Sequence, residues 1–129
     1  MEEPTKTPPA SGTDVWPEEI RLAKSKNVLH VKFDNGNSFS LSAELLRVES
    51  PSAEVQGHGP GQKTTPVGKR DILISSIEPV GNYAIRISFS DGHNTGIFSW
   101  NTLYDYGLRC DELMTNYLSR LKSAGASRS

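Results

Sequence analysis

The chain has 129 residues and a mass of 14.1 kDa, which suffices for one domain and excludes a two-domain enzyme with a separate cofactor fold. Its 14 basic and 15 acidic residues leave a net charge of −1, and both signs are spread along the chain, which argues against a general nucleic-acid binder. No apolar run approaches the roughly 20 residues that cross a bilayer, and the first residues lack a secretory pattern. The sequence therefore predicts a cytoplasmic protein with neither membrane nor nucleic-acid partners.

Both ends of the chain are expected to lie outside the folded part. Residues 1–15 hold three prolines and three threonines and almost no large apolar side chain. Such a segment cannot bury enough surface to offset the entropy of ordering, so it is predicted to be a flexible tail. Residues 125–129 are expected to fray. The folded domain is predicted to span residues 16–124.

The first predicted unit is a hairpin followed by a helix. Apolar and polar residues alternate over 27–34, which is typical of a half-buried strand. Asn35-Gly36 supplies the positive φ angles of a tight turn, and 38–42 returns as a second strand. Ser42 is then the expected N-cap of a short helix.

A long loop follows this unit. Residues 49–71 contain four glycines and three prolines, a composition typical of a connection between elements. A loop of this length in a small domain is often functional or mobile.

The second half repeats the order of the first. A strand is predicted over 71–78, and the alternation over 83–89 is the clearest strand pattern in the chain. A turn at 91–94 and a return strand over 95–98 follow. The turn sequence is similar to that at 34–37. Internal duplication is one interpretation of this similarity, and the common requirements of hairpins are the other.

Two helices are predicted at the C-terminal end. Ser99 is the expected N-cap of a helical turn that Gly107 closes. Asp111 is the expected N-cap of a final helix, which carries a buried stripe at i, i+3, i+4 spacing and ends at Gly125. The order of elements predicts an α+β fold, a small β-rich domain of antiparallel hairpins with short helices and a C-terminal amphipathic helix.

No pattern in the chain points to catalysis. The loop glycines lack the Gly-Lys-Ser/Thr of a phosphate-binding loop, and no Gly-x-Ser-x-Gly elbow is present. None of the histidines, His30, His58 and His93, begins a His-x-Asp/Glu step that would supply iron ligands. The single Cys110 cannot build a cysteine-rich metal site. We therefore expect no enzyme activity, no catalytic residues and no cofactor.

Several segments, in order along the chain, resemble a known family. They are Glu44–Arg47, Ser50–Val55, Gly57–Pro60, Ile77–Ala84, Phe89–His93 and Thr95–Trp100. Through them the chain resembles the gamma-butyrobetaine hydroxylase-like N-terminal domain family over about residues 18–110. In large members of that family this small domain precedes a 2-oxoglutarate- and iron-dependent oxygenase domain. Other members stand alone or are joined to ATP-binding iron–sulfur carrier proteins. Since this chain has no oxygenase domain, the resemblance implies kinship with the accessory half only.

The resemblance also bears on a metal site. Oxygenase members bind a structural zinc ion through a Cys-Pro-Cys-x-x-Cys run and a distant histidine. Placed on this sequence, these positions are Ser50, Ser52, Val55 and His93. Serine hydroxyls and valine cannot replace thiolates at a tetrahedral zinc ion, so this site is expected to be lost. A weak metal site assembled from His93 and His58 remains an alternative.

Two functions follow from these patterns. The first is a non-catalytic accessory or protein-interaction domain, linked to an iron–sulfur carrier or another metalloenzyme partner. Its candidate contact residues are Trp100, Tyr104 and Tyr106. The alternative is a small-ligand or metal-binding protein that uses His93 and His58 to hold a weakly bound metal ion. A protein partner is expected under the first function, and unpaired strand edges also allow a homodimer.

Overall fold

The computed structural model of the protein describes residues 15–56 and 65–128, which form two three-stranded antiparallel sheets and four helices. In chain order the elements are β1 (Pro17–Leu22), β2 (Val28–Phe33), β3 (Ser38–Ser42), α1 (Ala43–Val48), α2 (Ala53–Gln56), β4 (Ile74–Val80), β5 (Ala84–Phe89), β6 (Gly96–Ser99), α3 (Trp100–Leu108) and α4 (Cys110–Ser123). The strand orders are β1-β2-β3 and β4-β5-β6. The predicted α+β domain of antiparallel hairpins with a C-terminal helix is confirmed.

One apolar core joins the two sheets. In β2, Leu29, Val31 and Phe33 are buried while His30 and Lys32 lie nearer to solvent, which is the alternation that the sequence predicts. The same cluster contains side chains of both sheets and of the helices, namely Leu41, Leu45, Leu46, Ile74, Ile85, Ile87, Phe89, Phe98, Leu103 and Leu113. Because the two sheets share this cluster, neither half has a complete core of its own.

The two hairpin turns have the same backbone hydrogen bonds. The N–H of Phe33 donates to the carbonyl of Asn37 at 2.8 Å, and the N–H of Gly36 donates to the carbonyl of Phe33 at 3.1 Å. The equivalent bonds of the second turn, which starts at Phe89, measure 2.9 and 3.0 Å. Gly36 and Gly92 have φ angles of 93° and 90°, a conformation that favours glycine at both turns.

The equivalence extends to both ends of each sheet. The first strand of each sheet has an irregular register, at Pro17–Glu19 in β1 and at Ile74–Ser76 in β4. The last strand of each sheet leads directly into a helix. The hydroxyl oxygens of Ser42 and Ser99 cap these helices as predicted, each accepting from the N–H three residues on, at 3.0 and 3.1 Å. The chain is thus a structural repeat of one strand–strand–strand–helix unit, as an internal duplication would produce.

Each turn contacts the helix of the other half. The side-chain amides of Asn35 and Asn37 donate to the hydroxyl of Tyr104 in α3, at 2.9 and 2.7 Å. In the opposite direction, Asp91 accepts from the Nε of Arg47 in α1 at 2.8 Å. Tyr104 and Arg47 occupy the same place in their helices, five residues after the capping serine. The two halves are therefore tied together by reciprocal contacts.

Two glycines allow these halves to approach closely. A Cβ atom at Gly107 would overlap the ring of Phe39, and a Cβ atom at Gly96 would overlap the hydroxyl of Ser50. Gly107 lies inside α3, which continues to Leu108, so the prediction that it closes the helix is wrong. The residue is needed where α3 crosses β3, and sequence alone does not show that crossing.

Three element boundaries differ from those predicted. The sequence does not predict β1, in which three of the six residues are charged and exposed. The strand expected over 71–78 instead spans Ile74–Val80. The last helix begins at Cys110, with Arg109 at its N-cap position and no side-chain cap bond. Asp111 lies in the first turn, where a carboxylate also complements the helix dipole.

The chain ends are described in part. Residues 1–14, most of the tail expected over 1–15, lie outside the described residues, and Val15 is buried. At the other end Gly125, with a φ of 66°, follows α4 as predicted. The residues after it form backbone hydrogen bonds with the segment 68–70, whereas the sequence predicts that residues 125–129 fray.

No helix among residues 15–56 and 65–128 combines the length and the apolar character that a membrane crossing needs.

Candidate functional site

The candidate site is a buried cluster of two serines and a histidine. Ser50 and Ser52 precede α2, and His93 lies in the turn between β5 and β6. Their exposed fractions are 0%, 7% and 8%. His93 Nε2 lies 2.9 Å from Ser50 Oγ and 3.3 Å from Ser52 Oγ. The structure therefore brings together three of the four positions at which the resemblance implies zinc ligands, and the fourth, Val55, is also buried.

Hydrogen bonds hold the segment that carries the serines. The side-chain amide of Gln56 donates to the carbonyl of Ser50 at 2.9 Å, and the hydroxyl of Tyr106 donates to the carbonyl of Glu49 at 2.6 Å. Burial, together with the charges of Glu49 and Asp105, raises the pKa of Tyr106 to about 12. The phenol therefore keeps its proton at neutral pH and remains a donor.

Asp91 holds the turn that carries His93. One carboxylate oxygen accepts from the N–H of His93 at 3.0 Å, and the other accepts from Arg47 at 2.8 Å and Lys69 at 2.6 Å. Burial alone would raise the pKa of the Asp91 carboxyl, but the hydrogen bonds from Lys69, the His93 N–H and Arg47 outweigh it and lower the pKa from 3.8 to about 2. The turn is thereby joined to α1 and to the segment before β4.

Ser50 and His93 are as close as a catalytic nucleophile and its base, but Ser50 is not accessible to a substrate. A hydroxyl 2.9 Å from an imidazole nitrogen is the spacing found in hydrolytic triads. Ser50, however, has no solvent-exposed surface, and its hydroxyl packs where Gly96 leaves room. A substrate cannot reach it in this arrangement. The geometry matches a buried polar network whose members satisfy one another.

The same residues do not fit the zinc ion that the resemblance implies. Structural zinc sites take thiolate and imidazole ligands, whereas this cluster offers two neutral hydroxyls, one imidazole and the apolar Val55. Across residues 15–56 and 65–128, no three His, Cys, Asp or Glu side chains lie close enough to hold a metal ion. His58, the second ligand of the alternative site with His93, lies outside the described residues.

The three aromatic residues singled out from the sequence have different surroundings. The hydroxyls of Tyr104 and Tyr106 are both used in contacts within the domain. Trp100 instead lines a surface pocket together with Trp16 and Tyr83, two residues that the sequence analysis did not select. In the sequence only their aromatic side chains mark them. Trp16 lies just before β1, a strand that the sequence does not predict, and Tyr83 lies in the turn before β5.

We call this surface the aromatic pocket and define it by Trp16, Tyr83 and Trp100. It has a volume of about 200 Å³, and its lining is completed by Val15, Ser99 and Asn101, so that no charged side chain of residues 15–56 and 65–128 lines it. Trp16 is 37% exposed and Tyr83 is 54% exposed. The indole N–H of Trp100 donates to the carbonyl of Asn82 at 2.9 Å, which fixes the ring.

A larger, more polar groove lies between the Glu49–Gln56 segment, α3 and α4. Its volume is about 560 Å³, and it is lined by two arginines that already have acidic partners. Arg109 pairs with Asp105 at 2.9 Å, and Arg120 pairs with Glu49 at 3.2 Å. The groove therefore offers no unpaired cation to a ligand among the residues that line it.

The chain is similar to one known family and to several solved structures. A family model described as gamma-butyrobetaine hydroxylase-like, N-terminal, matches residues 20–104. One solution NMR structure is 47% identical with a TM-score of 0.78, covering 93% of this chain and 89% of its own. A second is 43% identical with a TM-score of 0.77, covering 89% and 90%.

A crystal structure of a protein from Acidithiobacillus ferrooxidans, of unknown function and assigned to the DUF971 family, is also similar. It is 39% identical with a TM-score of 0.56, and the match covers 67% of this chain and 86% of that one. No curated protein matches the chain.

Proposed function

We propose that this chain, which belongs to the gamma-butyrobetaine hydroxylase-like N-terminal family, is a non-catalytic protein-interaction domain. The observation that carries the proposal is the aromatic pocket. Tryptophan and tyrosine around a central pocket are the residues that most often dominate the binding free energy of protein interfaces. Because the described residues that line the pocket carry no charge and three of them are aromatic, it suits a large apolar side chain of a protein partner.

The walls of the aromatic pocket are held by backbone hydrogen bonds. The carbonyl of Trp16 accepts from the N–H of Asp34 at 2.9 Å, and the carbonyl of Tyr83 accepts from the N–H of Trp100 at 3.2 Å. A pocket held in this way loses little conformational entropy when a partner binds, which favours affinity.

An iron–sulfur carrier is the partner class to test first. The family includes members that are joined to ATP-binding iron–sulfur carrier proteins in one chain. Under this proposal the aromatic pocket is the surface that contacts the carrier.

The test compares Tyr83→Ala with a matched control, Ile97→Ala. Ile97 is 42% exposed on β6 and is not among the residues that line the aromatic pocket. Native mass spectrometry of the protein purified from its own host at physiological salt identifies the partner, and calorimetry with the purified partner measures the affinity. We expect Tyr83→Ala to weaken binding about 30-fold, the loss typical of an interface hot spot, and Ile97→Ala to leave it unchanged.

Two results would contradict the proposal. If Tyr83→Ala and Ile97→Ala weaken partner binding equally, the aromatic pocket is not the binding site. A wild-type protein that carries a stoichiometric metal ion and no partner would favour the alternative function, in which His93 and His58 hold a ligand.

A further inference from the structure

The residues after α4 turn back and pack against the domain. The chain reverses at Gly125, and the N–H of Ala126 donates back to the carbonyl of Leu121 at 2.9 Å. Residues 126–128 then run between α1, α4 and the segment 66–70. We call this site the tail groove and define it by Glu44, Gly68, Arg70 and Tyr117.

The tail groove holds the backbone of residues 127 and 128. The N–H of Gly68 donates to the carbonyl of Ser127 at 3.1 Å, and the N–H of Arg70 donates to the carbonyl of Arg128 at 2.9 Å. Because both acceptors are backbone carbonyls, these two bonds do not depend on which side chains the tail carries at 127 and 128.

Glu44 makes the tail groove selective for arginine. Its side chain is 6% exposed, and both carboxylate oxygens accept from Arg128, at 2.9 Å from Nε and 2.6 Å from Nη2. A bidentate guanidinium is the strongest partner for a buried carboxylate. An arginine therefore satisfies this carboxylate better than a neutral side chain at the same place would.

The segment that fills the groove contributes little beyond these bonds. Its apolar contact is the single methyl group of Ala126, which packs against the cluster of Val48, Tyr117 and Leu121. One bond that supports the site does not involve the tail, since the hydroxyl of Tyr117 donates to the carbonyl of Pro66 at 2.7 Å. A segment with the same arginine and a larger apolar residue in place of the alanine would bury more apolar surface.

We propose that the tail groove is a docking site for an extended, arginine-bearing segment of a partner protein, and that residues 126–128 occupy it as an intramolecular ligand until the partner binds. The exchange replaces one guanidinium at Glu44 by another, so the buried carboxylate is never left unpaired. This site uses none of the residues of the aromatic pocket, and it stands whether or not that pocket binds a protein.

The experiment uses the full-length protein and a synthetic peptide, Ala-Gly-Leu-Ser-Arg-Ser, which copies the chain end with leucine for alanine. Binding is followed by NMR through the amide signals of Gly68 and Arg70. The tail competes at an effective concentration of the order of millimolar, so Arg128→Gln should increase the apparent affinity for the peptide at least tenfold. Glu44→Gln should abolish binding, as should a peptide with glutamine in place of arginine.

Three results would overturn the proposal. In the first, the peptide leaves both amide signals of the Arg128→Gln protein unmoved. In the second, the arginine and glutamine peptides bind alike. In the third, the wild type forms a dimer that Arg128→Gln abolishes, which would identify a second copy of the chain as the occupant. If Arg128→Gln does not fold, Arg128→Lys gives the same comparison, because it keeps the charge but loses the bidentate geometry.

Discussion

His93 and the two serines beside it depend on one another. Each is nearly inaccessible to solvent, and each has another member of the cluster as a hydrogen-bond partner. A buried polar group costs free energy unless it is bonded, so removal of one member takes a hydrogen-bond partner from the others. The contribution of each member to stability therefore depends on the other two.

We expect His93→Ala to lower the free energy of unfolding by about 2–3 kcal/mol, because it leaves a cavity and two buried hydroxyls without their histidine partner. Urea denaturation measures the change. His30→Ala is the matched control, since His30 Nδ1 also contacts a serine, Ser40, at 2.8 Å but near the surface. Its cost should stay below about 0.5 kcal/mol. Equal costs would show that burial of the cluster is unimportant.

A second prediction concerns the missing zinc ligands. Ser50 and Ser52 already direct their oxygens at His93 Nε2, and Val55 is buried close by in sequence. The triple variant Ser50→Cys, Ser52→Cys, Val55→Cys should bind one equivalent of zinc, because three thiolates and an imidazole complete a tetrahedral set. Native mass spectrometry detects the ion. Adding His93→Ala should weaken binding. A triple variant that stays free of zinc would mean that the four positions do not converge.

At this scale the sequence indicates which residues matter but not how they meet. The resemblance selects Ser50, Ser52 and His93 as former ligand positions. It contains no information on their hydrogen bonds, because these depend on how the turn after β5 packs against the segment before α2. That packing is tertiary, and no local pattern encodes it.

Among the elements, the contact between the β5–β6 turn and α1 depends on one carboxylate. Asp91 accepts from Arg47 in α1, from Lys69 before β4 and from the backbone of its own turn. Its side chain is 23% exposed, so solvent screens these interactions only in part. The carboxylate thus joins three parts of the chain in its ionised form.

The lowered pKa of Asp91 predicts a pH dependence. Because the folded pKa of about 2 lies below the ordinary 3.8, ionised Asp91 stabilises the fold above pH 4, and this contribution is lost as the pH falls from about 4 to 2. Asp91→Asn should lower the free energy of unfolding at pH 7 by about 1–2 kcal/mol and flatten its decline in acid. Denaturation curves at pH 7, 4 and 2 measure both effects.

Asp105→Asn is the control for this change, because Asp105 pairs with Arg109 at the surface and its side chain is 50% exposed. Its effect should be below about 0.5 kcal/mol at every pH. An unchanged acid profile in Asp91→Asn would show that the carboxylate does not stabilise the fold.

The elements themselves follow from local signals to different degrees. Ser42 and Ser99 cap their helices as predicted, since capping depends on neighbours within one turn. β1 lacks such a signal because three of its six residues are charged and exposed and none is buried, so that its order depends on its pairing with β2. Gly107 is misread as a helix end for the related reason that its partner, Phe39, is distant in the sequence.

In the whole molecule, neither half is complete without the other. The apolar core draws on both sheets, and each hairpin turn is bonded to the helix of the opposite half. The sequence predicts two similar units, but it does not predict their reciprocal contacts, which exist only once the halves are packed. Unfolding should therefore be a single cooperative step.

We predict that the fragments 1–60 and 61–129 are each largely unfolded and assemble into the native fold when mixed. Each fragment alone would expose the apolar face that the other covers, and it would lose the contacts made through Tyr104 or Arg47. NMR spectra of the separate and mixed fragments test this, with the intact chain as the reference. A dispersed spectrum from either fragment alone would show that one half folds independently.

Because the fold is a repeat, side chains in one half can differ from those at equivalent positions in the other while the backbone stays the same. Phe39 and Gly96 hold equivalent places, 57 residues apart, and so do Ser50 and Gly107. The ring of Phe39 fills the space beside Gly107, and the hydroxyl of Ser50, a member of the polar cluster, fills the space beside Gly96. The same backbone thus holds an apolar ring in one half and a polar cluster in the other. An ancestor with two identical halves could acquire or lose a metal site on one side by a handful of substitutions, without having to invent a new fold.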